Sequence, residues 1–286
     1  MKAIRRLIAI IMAIAMITVS CICYATASGT RIPISTPTRV FGGQYMPMPA
    51  SNYVDNIVGN APYVDTNIGA YYYVYSGLST TYSEAFANIK LPTSLNLANG
   101  TRHACISLGI AGDGVAIDLG LINVGNGWTP VYNEVLGTGG VGELFPEYTA
   151  PSTATNAKIV VKPVNSNTVH MYIQFLNASG QNVGTTSDRD ITLEGSSFNS
   201  SGTYIPCQYY RFASLIPAGC PDNQSDGSYM IGGQFINLGL YNRNTSTYDT
   251  WGIETARVVS AYRVHPEHIS LNYGSNYDTF NINHNG

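Results

Sequence analysis

Charge is scarce in this chain. Only 11% of its 286 residues are charged, and no basic cluster stands out. A nucleic-acid surface gathers Lys and Arg to neutralise phosphates, so nucleic acid is not an expected partner. Cysteine is also scarce: there are five, and two of them, Cys21 and Cys23, fall near the N-terminus. No C-x-x-C or Cys/His spacing suggests zinc. No G-x-S-x-G elbow and no phosphate loop is present, which removes common hydrolase and nucleotide-binding signatures. Beyond the N-terminal segment, no apolar run approaches the ~20 residues of a membrane-spanning helix.

That N-terminal segment sets the expected location. Lys2, Arg5 and Arg6 precede the apolar run LIAIIMAIAMITVSCIC, and Ala25-Thr26-Ala27 has the form of a cleavage site. Residues 1–27 therefore read as a secretory signal peptide, and the protein as secreted or associated with a cell wall. Removing the three cations lowers the 14 basic residues to 11 against 17 acidic, a net charge of −6. Residues 28–51, with Pro33, Pro37, Pro47 and Pro49, read as an extended leader. Residues 52–286 read as one domain.

Three cysteines remain, Cys105, Cys207 and Cys220, so one must stay unpaired. Cys207 and Cys220 flank a short loop and are the preferred disulfide, worth ~3 kcal/mol by loop closure. Cys105 reads as a buried small hydrophobe.

What the chain has in quantity is Tyr, 21 residues, and Gly, 29. Strand signals recur every few residues between polar turns. TVHMYIQFL (168–176) alternates with period two: Val169, Met171, Ile173 and Phe175 share one face. AKIVVKPV is its hairpin partner through Asn165-Ser166-Asn167. AYYYVYSGL (70–78) is an aromatic-rich strand. TYSEAFANIK (81–90) admits two readings. Thr81 and Glu84 match a helix capping box, whereas Ala85, Ala87, Ile89 and Leu91 would share a strand face, which is preferred. Many strands and short turns predict an all-β fold: an antiparallel two-sheet β-sandwich with jelly-roll-like topology, and a barrel second.

One phrase occurs twice. IDLGLINVGNGW (117–128) and INLGLYNRNTSTYDTW (236–251) both start Ile-x-Leu-Gly-Leu and both end on a Trp, and these are the chain's two tryptophans. In an extended strand the apolar residues pack inward, while Asp118 and Asn237 face out. Asn126-Gly127 is a type I′ hairpin signal. Sugar-binding surfaces combine flat aromatic rings with fixed acids and amides. Asp118, Trp128, Asn237 and Trp251 are thus the candidate ligand-binding residues, against the plainer reading that both tryptophans plug the ends of the sandwich.

GIAGDGVAIDLGLINVGNGWTPVYNE (109–134) resembles the paired strands of secreted bacterial concanavalin-A-like lectin/glucanase jelly rolls. The resemblance implies a sandwich that binds glycans or cleaves them. The Glu-x-Asp-x-Glu strand of the glucanase branch is absent here. A retaining glycosidase needs two carboxyl groups ~5–5.5 Å apart, and no confident strand offers such a pair. Asp188 and Asp190 have the spacing but read as a solvated turn around Arg189.

DNQSDG (222–227) places Asp222 and Asp226 as in half a calcium loop, without the acid that completes it. His265 and His268 flank Pro266-Glu267, and the proline forbids the helix that would align them on a metal. No cofactor is expected beyond an irregular calcium site near Asp222 and Asp226. The expected function is non-catalytic binding of an extracellular polysaccharide or cell-wall glycan. A polysaccharide hydrolase or lyase, and a surface adhesion or structural protein, remain as alternatives.

Overall fold

The computed structural model describes residues 58–60, 70–97, 103–112, 115–136, 139–194, 197–198, 204–216, 227–264 and 266–284. Residues 1–27, expected as a signal peptide, residues 28–51, expected as a leader, and Cys220, Asp222, Asp226 and His265 lie outside the described residues. Among those residues no helix is long and apolar enough to cross a membrane.

Two sheets form the chain, as the strand pattern predicts. The first has eight strands, in the order β1 (Val58–Asn60), β15 (Val258–Val264), β2 (Ala70–Ser76), β12 (Gln208–Ile216), β5 (His103–Gly112), β6 (Val115–Asn123), β7 (Trp128–Leu136) and β8 (Gly139–Leu144). The second has nine strands. Its main path is β11 (Ser187–Thr192), β10 (Thr168–Leu176), β9 (Asn156–Asn165), β3 (Tyr82–Lys90), β13 (Tyr229–Asn242), β17 (Tyr277–Asn283) and β16 (Ile269–Tyr273). Strands β4 (Ser94–Asn96) and β14 (Thr247–Thr250) pair with β13 beside it. Every pairing is antiparallel except β1 with β15 at the edge of the first sheet.

Alternation explains which residues enter the core. On β10, Val169, Met171 and Ile173 are fully buried and Phe175 nearly so. The 81–90 segment is a strand: Ala85, Ala87 and Ile89 are buried every second residue, facing the other sheet. Fully burying a Val, Leu, Ile or Phe side chain is worth about 1.5–3 kcal/mol. That exceeds what a capping box can return, about 1 kcal/mol. Asp188 and Asp190 correct one expectation, since they lie on edge strand β11 and not in a turn. Charges on an edge strand discourage further strand pairing. His170 of β10 sits between them, 2.8 Å from Asp190 and 3.3 Å from Asp188.

The two Ile-x-Leu-Gly-Leu phrases behave differently. On β6, Ile117, Leu119 and Leu121 are fully buried, as expected. On β13 the pairing with β3 slips between Ile236 and Gly239, and Asn237 adopts φ 54. This β-bulge inserts one residue, so the buried set changes from Phe235 to Leu238 and Leu240. A left-handed backbone suits Asn better than other non-glycine residues.

A polar group joins the sheets inside the core. Arg211 of β12 and Asp278 of β17 are both fully buried and paired through Arg211 Nε and Asp278 Oδ2. Tyr72 Oη donates to the same Asp278 oxygen at 3.2 Å, and Arg211 Nη1 donates to the Trp251 carbonyl at 3.0 Å. The guanidinium lies 4.7 Å from the Trp251 ring centroid.

Two of the three cysteines, Cys105 and Cys207, lie among the described residues. Cys207 is buried, and the strand register holds it against Ser79; Cys220, its expected disulfide partner, lies outside the described residues. Burial pushes the Cys207 thiol up to about 11, which leaves it protonated and unreactive. Cys105 is half-buried rather than buried.

Removing one member of a buried ion pair strands the other charge, at a cost of about 3–5 kcal/mol. Arg211→Met and Asp278→Leu should each lower stability by that amount in chemical denaturation. The double variant should recover much of the loss, and a double loss equal to the sum of the two single losses would show that the pair is not coupled.

Candidate functional site

The face of the first sheet turned away from the second carries its own cluster. In AYYYVYS the period of two sends Tyr72 and Val74 into the core and Tyr71, Tyr73 and Tyr75 to this other face. The three rings form a ladder. Tyr71 and Tyr73 stack at 5.7 Å and 6°, and Tyr73 and Tyr75 at 5.9 Å and 19°. On the neighbouring β12, Tyr210 and Phe212 project to the same side. Tyr73 lies 5.1 Å from Phe212, and Tyr75 lies 5.5 Å from Tyr210. Tyr71, Tyr210 and Phe212 are buried, whereas Tyr73 and Tyr75 stay partly exposed.

One cross-strand row organises the centre. The register aligns Tyr75, Tyr210, Gly109, Asp118 and Asn133 on five successive strands. Gly109 is the gap in this row. A Cβ there would stand 2.1 Å from the Tyr210 ring, so only glycine lets that ring lie across β5. Lying flat, Tyr210 reaches the next strand, where its Oη donates to Asp118 Oδ1 at 2.7 Å. From the other side Asn133 Nδ2 donates to Asp118 Oδ2 at 3.0 Å. Gly120 makes a second hollow, since a Cβ there would meet the Ser107 backbone at 2.5 Å.

The electrostatics follow from this enclosure. Burial pushes the Asp118 carboxyl up, and the two hydrogen bonds from Asn133 and Tyr210 pull it part of the way back. Burial, followed by the nearby Asp118 charge, pushes the Tyr210 phenol well above its ordinary value. Tyr210 therefore remains a hydrogen-bond donor to Asp118 at any physiological pH. Asn133 is buried, and its Oδ1 has no partner among the described residues. Asp118 itself is partly exposed and keeps lone pairs beyond its two bonds. No second carboxylate stands in the row, so paired-acid chemistry is not built into it. Among the described residues, no group of three or more His, Cys, Asp or Glu is placed to hold a metal.

Of the four residues that the sequence singled out, the structure places Asp118 at this site and separates the other three from it. Trp251 is fully buried against Arg211, and Trp128 is a core residue at the start of β7. Neither presents a ring face to a ligand, because inward packing offers each a larger apolar contact than the surface does. Asn237 is exposed on the other sheet, in the β13 bulge, bonded to Asn276 at 3.3 Å. The residues that sequence reasoning missed are Tyr73, Tyr75, Tyr210 and Asn133. The alternation within Tyr71-Tyr72-Tyr73-Val74-Tyr75 was the available signal, because it requires tyrosines on a face away from the core.

No family model matches the sequence, and no curated protein does. Solved structures show weak likeness. Scytalido-glutamic peptidase with a peptide-based transition-state analogue is 11% identical at TM-score 0.45, covering 76% of this chain and 98% of that one. The CBM2 module of the Lactobacillus casei BL23 phage J-1 evolved Dit is 11% identical at TM-score 0.30, covering 80% and 67%. Chicken galectin 2 is 9% identical at TM-score 0.21, covering 55% and 92%. At this level the likenesses carry no argument about activity.

Two enclosed groups give opposite pH dependences. Burial holds the His103 imidazole down at about 4, against 6.5 unfolded. The unfolded chain therefore takes up the proton first. Stability should fall as pH drops from 6.5 to 4, by about 3 kcal/mol from this group. Asp118 is raised, so its contribution is present below the ordinary carboxylate value of about 4 and lost as pH rises through its raised value. Denaturation midpoints against pH should show a shallower acid loss in His103→Gln. In Asp118→Asn the loss on the rising limb should vanish. Unchanged profiles in both variants would contradict these assignments.

Proposed function

We propose that this protein is a non-catalytic glycan-binding β-sandwich acting outside the cell, and that the tyrosine-bearing face of the first sheet receives the sugar. The observation that carries the reading is the row from Tyr75 through Tyr210 and Asp118 to Asn133. The face around this row supplies the two things that a sugar surface needs. Tyr73 and Tyr75 offer partly exposed rings for the apolar C–H faces of a pyranose. Asp118, held in one geometry by Tyr210 and Asn133, offers a fixed acceptor for a hydroxyl. A pre-oriented acceptor spares the ligand the cost of ordering a mobile side chain. Export by the N-terminal segment would bring the site to an extracellular polysaccharide or cell-wall polymer.

The test uses the chain from Ser28 to Gly286 on a panel of insoluble plant, host and bacterial wall polysaccharides, scoring retention and new reducing ends together. Retention without cleavage is expected. Tyr75→Ala should weaken it by about 2–10-fold, the worth of one aromatic contact of about 0.5–1.5 kcal/mol. Asp118→Asn should weaken it further. New reducing ends would replace this reading with a hydrolase. Retention unaffected by either variant would move the site off this face.

A further inference from the structure

A cleft of about 400 Å³ opens at the far end of the second sheet. Its size falls in the lower part of the ~300–1,000 Å³ range of small-molecule sites. Strands β13, β16 and β17 and the 3-10 turn Pro266–His268 meet there, and Ile231, Glu267, His268, Ser270, Asn281 and Asn283 line it. It lies on a different sheet from the Asp118 row and shares no residue with it.

Several of these groups are held in fixed geometry. Gly232 adopts φ +75 in the irregular start of β13, and its N–H donates to Asn281 Oδ1 at 2.7 Å. That bond fixes which end of the amide is oxygen, so what Asn281 can offer a ligand is its N–H donors. His268 Nδ1 lies 3.0 Å from the Asn283 carbonyl. A carbonyl only accepts, so Nδ1 carries the hydrogen. The other ring nitrogen, Nε2, is then turned to the Glu267 side, 3.8 Å from that carboxylate. Glu267 and Ser270 are exposed, and Ile231 supplies an apolar wall.

The chemistry of the lining narrows the ligand. A carboxylate at the mouth opposes an anion, and no lysine or arginine among the lining residues offsets it. One carboxylate is too little for a hard cation, which takes 6–8 oxygen ligands. A carboxylate acceptor, an amide donor and a hydroxyl beside an apolar wall match adjacent hydroxyls on a ring whose C–H face is apolar. We infer that this cleft is a second binding site, for a single neutral sugar unit bound through adjacent hydroxyls. The site goes beyond the proposed glycan face and does not depend on it. With both sites filled, one chain would hold two glycan segments at once.

The chain has five histidines, so the ring C–H resonances of His268 can be followed one by one. The full chain from Ser28 is titrated with methyl glucoside, methyl galactoside, methyl mannoside and N-acetylglucosamine. A saturable shift of the His268 resonances is expected with at least one of them, at millimolar midpoints and by about 50 mM at most. Glu267→Gln and Ser270→Ala change exposed side chains and should leave the melting temperature unchanged. Each should raise the midpoint about 5–10-fold, the loss of one hydrogen bond of 1–1.5 kcal/mol. Tyr75→Ala should leave the midpoint unchanged, which separates this site from the first. No saturable shift with any of the four sugars overturns the inference. So does a midpoint that both Glu267→Gln and Ser270→Ala leave unmoved.

Discussion

The ion pair between Arg211 and Asp278 decides which way β12 faces. A strand has two faces and a period of two, so fixing one residue fixes all of them. With Arg211 turned inward to Asp278, Tyr209, Ala213 and Leu215 also point into the core, and Tyr210 and Phe212 must point out. The aromatic face is therefore a consequence of a charge pair on the opposite side of the same strand. The pair is a weak source of net stability, because two charges leave water and the geometry is incomplete: Arg211 Nη2 and Asp278 Oδ1 have no partner among the described residues. Its value lies in register. A slip of one residue would expose Tyr209 and Leu215 and leave Asp278 buried without its cation.

Facing outward is not enough to build the site, since a flat sheet of tyrosines would stand upright and miss one another's neighbours. The missing side chain at Gly109 lets Tyr210 fold down across β5 and spend its hydroxyl on Asp118, two strands away. The same hollow explains why Asp118 tolerates such enclosure. Two donors reach it from opposite sides, and they offset part of the cost of taking a carboxylate out of water. Removing either donor would leave the charge more expensive than the surrounding rings can compensate, so Tyr210, Asp118 and Asn133 act as a unit.

The fold was largely legible in the sequence, and the site only in part. Alternation in TVHMYIQFL and in the Ala85, Ala87, Ile89 series named the buried residues of β10 and β3 correctly, because burial of one face is what alternation records. Asp118 was legible for the same reason: an acid between Ile117 and Leu119 in a strand must sit on the face away from the core. The tryptophans were not legible. A large amphipathic ring suits both a core and a surface, and only the partner decides. For Trp251 that partner is Arg211, forty residues earlier, and local pattern gives no hint of it. The aromatic ladder was visible as letters but was read as strand propensity, because which tyrosines face out depends on Tyr72 being claimed by Asp278.

The repeated phrase shows the limit most clearly. Equal sequence on two strands yields equal faces only when the pairing runs unbroken. On β6 it does, and Asp118 takes its place in a row of five strands. On β13 the bulge at Asn237 adds one residue against β3 and exchanges the faces within a single turn of the pleat. Asn237, the counterpart of Asp118 in the repeat, is thereby spent on accommodating a left-handed backbone and on binding Asn276. A duplicated motif becomes a duplicated site only if its neighbours' registers are duplicated too. Here they are not, and so one copy of the phrase supports the row through Tyr210, Asp118 and Asn133 while the other supports a bend.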